Sequence, residues 1–261
     1  MEREEKLMKS NKWKFLLTGA ATLTLLTACT QASSQSATTN NTAQTTATTN
    51  KTTNANYFTD KDKDTSYDES TASTVKLSGS SASVSGDGIA VSGSTVTISK
   101  AGTYVISGES NGVQIKVEAG DSDDVHIVLK DVTMTNTNAP ISATKAGHVY
   151  LTLADGTTNT LSDSSSNSDE DADAVIFSKG DLTINGSGTL NIDAKKNNGI
   201  KANDTLHITG GTYKITAVGD AFNINDELNI TGTTMTIDAD EDAVKVDNDE
   251  DTSVGTMYLS D

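Results

Sequence analysis

The sequence predicts an all-β fold, a right-handed parallel β-helix with coils of about 22 residues, on three observations. From Thr74 onward the chain alternates apolar and polar residues in short segments cut by Gly, Asn and Asp, as in "TVKLSG", "TVTIS" and "TYVISG". It has one proline, Pro140, and no segment with a helical stripe. Its C-terminal half repeats: "AVIFSKGDLTINGSGTLNIDAKKNN" from Ala174, "GIKANDTLHITGGTYKITAVGD" from Gly199 and "AFNINDELNITGTTMTIDADED" from Ala221. An antiparallel sandwich also gives short strands but does not call for near-identical units.

The elements follow in chain order. Residues 1–28 read as a signal peptide: lysines 9, 12 and 14 precede "FLLTGAATLTLLTA", an apolar run too short for a permanent membrane span. It ends in Leu26-Thr27-Ala28-Cys29, which resembles a bacterial lipobox, so Cys29 is the expected lipidation site. An ordinary signal peptide with an incidental cysteine is the plainer alternative. Cys29 is the only cysteine, which excludes an intramolecular disulfide. The expected location is the extracellular face of the bacterial membrane, with the membrane touched only through the lipid. Residues 29–73 read as a Thr/Ser/Asn-rich disordered tether with too little apolar surface to offset ordering. Residues 74–261 are the β-helix, opened by a β-rich cap.

Within each repeat, Leu-x-Ile followed by glycine (Leu182/Ile184/Gly186, Leu206/Ile208/Gly210, Leu228/Ile230/Gly232) precedes a second apolar pair (Leu190/Ile192, Tyr213/Ile215, Met235/Ile237). One such unit cannot bury its own apolar residues, so equivalent positions must stack in columns. Tyr213, Met235 and Leu190 are therefore core rather than ligand contacts.

Stacking also aligns acids. Without residues 1–28 the chain carries 14 lysines, no arginine and 33 acids, a formal charge of −19. That charge excludes nucleic acid as a direct partner and invites cations. Asp220 and Asp242 lie 22 residues apart, with Asp173 and either Asn197 or Asn198 expected in the neighbouring coils; Asp193 and Asp238 share a row interrupted by Thr216. Stacked strands lie about 4.7–4.9 Å apart, which suits one Ca2+ between two carboxylates. Asp-x-Asp-x-Asp runs at 60–64, 169–173, 238–242 and 247–251 add oxygens, although none completes an EF-hand. The candidate calcium ligands are Asp173, Asp220, Asp242, Asp240, Asp238, Asp247, Asp249 and Asp251. A solvated acidic face that opposes aggregation is the alternative.

The segments "VSGSTVTISKAGTYVISG", "LTLADGTTNTLSD", "DADAVIFSKGDLTINGSGTL", "ITGGTY" and "DAVKVDNDEDTSVG" resemble the carbohydrate-binding β-helix family first recognised in a clostridial cellulose- and pectate-binding cell-surface protein. The resemblance runs from about Leu77 to Asp261. It implies a fold similar to the pectate lyases, bound calcium, and an acidic polysaccharide such as pectate, or another cell-wall glycan, as partner. Members usually continue through more coils, so "MYLSD" is read as the next Leu-x-Ile strand of a truncated helix.

Catalysis is not expected. The base of the pectate lyases that this family resembles in fold is an arginine, and none remains after residue 28. A lysine such as Lys179, Lys195, Lys196, Lys201 or Lys214 is the substitute that keeps a polysaccharide lyase open. "GESNG", Gly108 to Gly112, matches G-x-S-x-G but reads as a turn, because no helix follows. His126, His148 and His207 lack zinc spacing and read as exposed strand positions. The remaining alternative is an adhesive spacer rigidified by calcium.

Overall fold

The computed structural model describes residues 15–17 and 57–261. The expected signal peptide apart from that short stretch, the expected lipidation site Cys29 and the expected tether up to residue 56 lie outside the described residues. Apart from the four-residue helix Asp60–Lys63, the described elements are strands, most of them paired in parallel.

The repeat prints directly into strand pairing. Strand Leu182–Gly186 pairs in parallel with Thr205–Thr209, which pairs with Glu227–Thr231, so Leu182, Leu206 and Leu228 stand in register, as do Ile184, Ile208 and Ile230. A second ladder aligns Leu190, Tyr213 and Met235, and Ile192, Ile215 and Ile237. The third aligns Ile200 with Phe222 and Ala202 with Ile224. All these side chains are buried in one continuous core, the Leu, Ile, Met and Phe among them worth about 1.5–3 kcal/mol each. Tyr213 satisfies its buried hydroxyl by donating to the Gly210 carbonyl at 3.0 Å. "MYLSD" forms Thr256–Ser260, with Met257 opposite Leu228 and Leu259 opposite Ile230.

The in-register step is 24 residues from Leu182 to Leu206, 22 to Leu228 and 29 to Met257. The surplus of the last step lies in the acidic segment before Thr256. The first two ladders form one 14-stranded sheet that curls at a corner, and the third belongs to an eight-stranded sheet. Glycine makes the corner possible: Gly186 has φ +101°, and a Cβ there would lie 2.2 Å from the Leu153 carbonyl oxygen. Strand Phe15–Leu17 pairs antiparallel with Thr234–Ala239 at the edge of the larger sheet.

Two expectations change. Residues 57–72, placed in the tether by their polarity, are docked on the protein: Phe58 and Asp62 are buried, and Thr59 and Asp62 close a capping box around Asp60–Lys63. "GESNG" is not a turn; Gly108 to Asn111 continue strand Gly102–Asn111 against Asp124–Thr135, and Ser110 is buried.

Candidate functional site

The two limbs of the curled sheet present outer faces of opposite character. On the first, strands Thr158–Ser162, Thr189–Ala194, Thr212–Ala217 and Thr234–Ala239 point their apolar residues inward and line up three polar rows outward. The rows are Thr158/Thr189/Thr212/Thr234, Thr160/Asn191/Lys214/Thr236 and Ser162/Asp193/Thr216/Asp238. Thr212, Lys214, Thr216, Thr234 and Thr236 are exposed. Strand spacing sets neighbours in a row about 4.8 Å apart. A cavity of about 440 Å³ opens over Thr160, Asn191, Asp193, Lys214 and Thr216. A second of about 220 Å³ adjoins it at Asp193 and Thr216 and reaches Lys195, Asp238 and Asp240. Hydroxyls, an amide, ammonium groups and carboxylates arrayed on a rigid sheet can exchange hydrogen bonds with a polyhydroxylated chain laid across the strands.

The expected Asp193–Thr216–Asp238 row forms. The column through Asp173 does not. Ala174 pairs with Asn198, so the first unit advances by 24 residues rather than 25, and the column of Asp242 and Asp220 continues through Asn198. A slip of one residue turns a strand side chain to the other face. Asp173 accordingly accepts from Lys201 Nζ at 2.8 Å and Asn197 Nδ2 at 2.5 Å.

The aligned groups bind the backbone. Asn198 Oδ1 accepts from the Asp220 amide at 3.1 Å and Asp220 Oδ1 from the Asp242 amide at 3.0 Å, while Asp220 Oδ2 accepts from Asn223 at 2.7 Å. Asp251 accepts from the Ser253 amide and hydroxyl, which lower its pKa, and Asp247 lies 3.6 Å from Lys245 Nζ. Asp249, like Asp240, Asp242, Asp247 and Asp251, is exposed. Among the described residues no group of three His, Cys, Asp or Glu side chains is gathered as a metal site. The Asp173 and Asp220 oxygens thus serve a lysine, amides and a main-chain N–H group, while Asp242 is exposed and its carboxylate has no hydrogen-bond partner among the described residues.

The second face is covered. Its outward column runs His126, Tyr150, Thr183, His207, Asn229, Tyr258, strand by strand. Residues 57–72 form a strap across it. Tyr57 stacks on Tyr258 with centroids 3.8 Å apart, Phe58 meets His207 edge-on, and Lys61 sits 4.6 Å above the Tyr150 ring. Asp62 holds the centre. Its carboxylate accepts from the Thr183 hydroxyl at 2.6 Å and from Thr59, and His207 Nδ1 stands 3.2 Å away. Burial alone raises the Asp62 pKa, but His207, Thr183 and Thr59 outweigh it and hold the carboxyl far below the usual range. Asn185 and Thr209 donate to the strap carbonyls of Asp62 and Asp64, and Asn229 to that of Tyr57.

The histidines are thus partly buried beside this strap rather than free on strands. His126 and His148 meet Thr152 and Thr183 through Nε2, and burial lowers both pKa values against the pull of nearby Asp64 for His126 and of Asp181, Asp62 and Asp124 for His148. Burial, then the same acids, push the Tyr150 phenol up to about 12. The strap had a legible signal: "TDKD" at Thr59 to Asp62 is a helix-start pattern.

The family model of carbohydrate-binding domain-containing proteins matches residues 92–261. A carbohydrate-binding domain-containing protein of Acetivibrio thermocellus is 39% identical over 126 residues, 46% of this chain and 44% of that protein. The chain thus spans less than half the length of this curated relative. A solved structure described as a polysaccharide lyase-like protein from C. thermocellum, a gadolinium derivative, superposes with a TM-score of 0.56 at 25% identity, over 73% of this chain and 97% of that one. With the matched segment covering every strand of the open face, the chain belongs to the family of carbohydrate-binding domain-containing proteins.

Proposed function

We propose that the protein binds polysaccharide without cleaving it, laying the glycan across the open Thr/Asn/Lys/Asp face of a right-handed parallel β-helix. The observation that carries this is the outward array itself: three polar rows over four strands, most open at Thr212, Lys214, Thr216, Thr234 and Thr236, fixed by a buried core below. The helix reading is supported by each strand from Leu182 onward pairing in parallel with the third strand after it. The glycan is acidic, of the pectate type, and Cys29 anchors the protein by lipid to the outer face of a bacterial membrane. Calcium enters at one place in this reading: Asp193, Asp238 and Asp240 border one cavity, where an ion can join protein and uronate carboxylates.

The test is retention of the purified protein on insoluble polygalacturonate and on a neutral glycan, with calcium and with chelator, while released unsaturated product is measured. Retention without product supports binding, and its loss in chelator assigns a share to calcium. A folded protein retained on neither matrix contradicts the proposal and leaves the spacer. Product release contradicts the non-catalytic reading.

A further inference from the structure

About half of the lysines among the described residues find a carboxylate. Seven of the thirteen lysines between residues 57 and 261 are paired with a carboxylate: Lys61, Lys116, Lys130, Lys145, Lys195, Lys201 and Lys245. Lys214 has no carboxylate partner among the described residues, although it stands centrally on the open face. Its row neighbours are Asn191 and Thr236, and its same-face neighbours along the strand are Thr212 and Thr216. The nearest acidic positions, Asp193 and Asp238, lie diagonally, and Asp193 has its own lysine, Lys195, at 3.5 Å. Lys214 lines the larger cavity with Thr160, Asn191, Thr216 and the Lys195-paired Asp193, and is exposed.

A cation whose row and strand neighbours are neutral hydroxyls and an amide, with the diagonal Asp193 already paired to Lys195, keeps its charge available to a ligand. Across the row, Asn191 makes one long contact, to Thr160 at 3.4 Å, and no hydrogen bond to its Oδ1 is formed among the described residues. The same cavity therefore offers an ammonium group beside an amide and hydroxyls. That combination recognises an anionic substituent together with the ring hydroxyls next to it.

We propose that Lys214 is the residue that selects acidic glycans, pairing directly with a carboxylate or sulfate on a sugar held over Asn191, Thr160 and Thr216. This rests on the open face being the glycan-binding surface, and it differs from a calcium bridge because it needs no ion. The rest of the protein, at a formal −19 beyond residue 28, repels polyanions. Selection then depends on this local cation rather than on general charge.

The experiment measures affinity of the full protein and of Lys214→Gln for three soluble glycans in chelator: polygalacturonate, dextran sulfate and a neutral galactan. Lys179→Gln removes an exposed lysine with no carboxylate partner outside the cavity and is the control for net charge. The expected result is acidic-glycan binding weakened about tenfold by Lys214→Gln, the size of one charge-assisted contact, with neutral binding and the control unchanged. Preference for polygalacturonate over dextran sulfate assigns the carboxylate; the reverse assigns the sulfate. Acidic binding that survives Lys214→Gln, or that vanishes in chelator for the unaltered protein, overturns the inference while leaving the binding face in place. No binding to any of the three overturns both. Circular dichroism of each variant separates these outcomes from misfolding.

Discussion

The two outer faces of the curled sheet are made from the same repeat and end in opposite states. On the open face, Thr, Asn, Lys and Asp side chains meet solvent with few partners; on the strapped face, Thr183, Asn185, Thr209 and Asn229 spend their hydrogen bonds on residues 57–64. Five of the nine aromatic residues beyond residue 56 (Tyr57, Phe58, Tyr67, Tyr150 and Tyr258) and all three histidines gather at the strap. None of the open-face rows carries an aromatic ring. Function is therefore expected where polar groups remain unspent, and stability where they are consumed.

The comparison breaks most visibly at Asp62. Asp62→Ala strips the acceptor from Thr183 and Thr59 and the partner from His207 inside a buried site, at a cost of about 3 kcal/mol. Chemical denaturation should show that loss, while glycan affinity of the folded protein stays the same. Asn191→Ala with Thr216→Ala should do the converse. Glycan binding falls about tenfold with stability within about 0.5 kcal/mol, since both side chains line the open cavity.

A third substitution separates capping from metal binding. Asp220→Asn keeps an oxygen for the Asp242 amide, as Asn198 already does for Asp220, and loses an acceptor toward Asn223. A stability loss of about 1 kcal/mol is expected, with the thermal response to calcium unchanged. A calcium response abolished by Asp220→Asn would instead restore the ladder.

The smallest effect is that of pH. His126 and His148 are lowered below their unfolded value of about 6.5, so the unfolded chain binds more protons; their contribution is complete above that pH and is lost as pH falls through the folded values. Asp62, depressed in the fold, adds a loss only as pH falls below its unfolded value of about 3.9. Hydrogen-exchange protection, corrected for the intrinsic pH dependence of exchange, should fall at the strap amides on going from pH 7.5 to 5 more than at the Thr212–Ala217 strand.

The columns Leu182/Leu206/Leu228 and Leu190/Tyr213/Met235 were legible because stacking forces the sequence to repeat. Asp173 was misplaced because a repeat of 24 residues, read as 25, slides one position, and a strand shows its error by facing the other way. The strap was hidden for another reason. Its partners, Thr183, Asn185, His207 and Asn229, lie more than a hundred residues away and look like ordinary solvent-facing strand residues until something docks on them. The open face was seen only in fragments, as the Asp193–Asp238 row and the coil lysines. Its unity comes from four strands meeting in register.

The most direct test of the central claim is an amide NMR titration of the protein with oligogalacturonate. Shifts are expected at residues 160, 191–193, 214–216 and 236–238, with residues 57–66, 126 and 148–150 unmoved. Shifts concentrated at the strap and its histidines, with the open face silent, would contradict it.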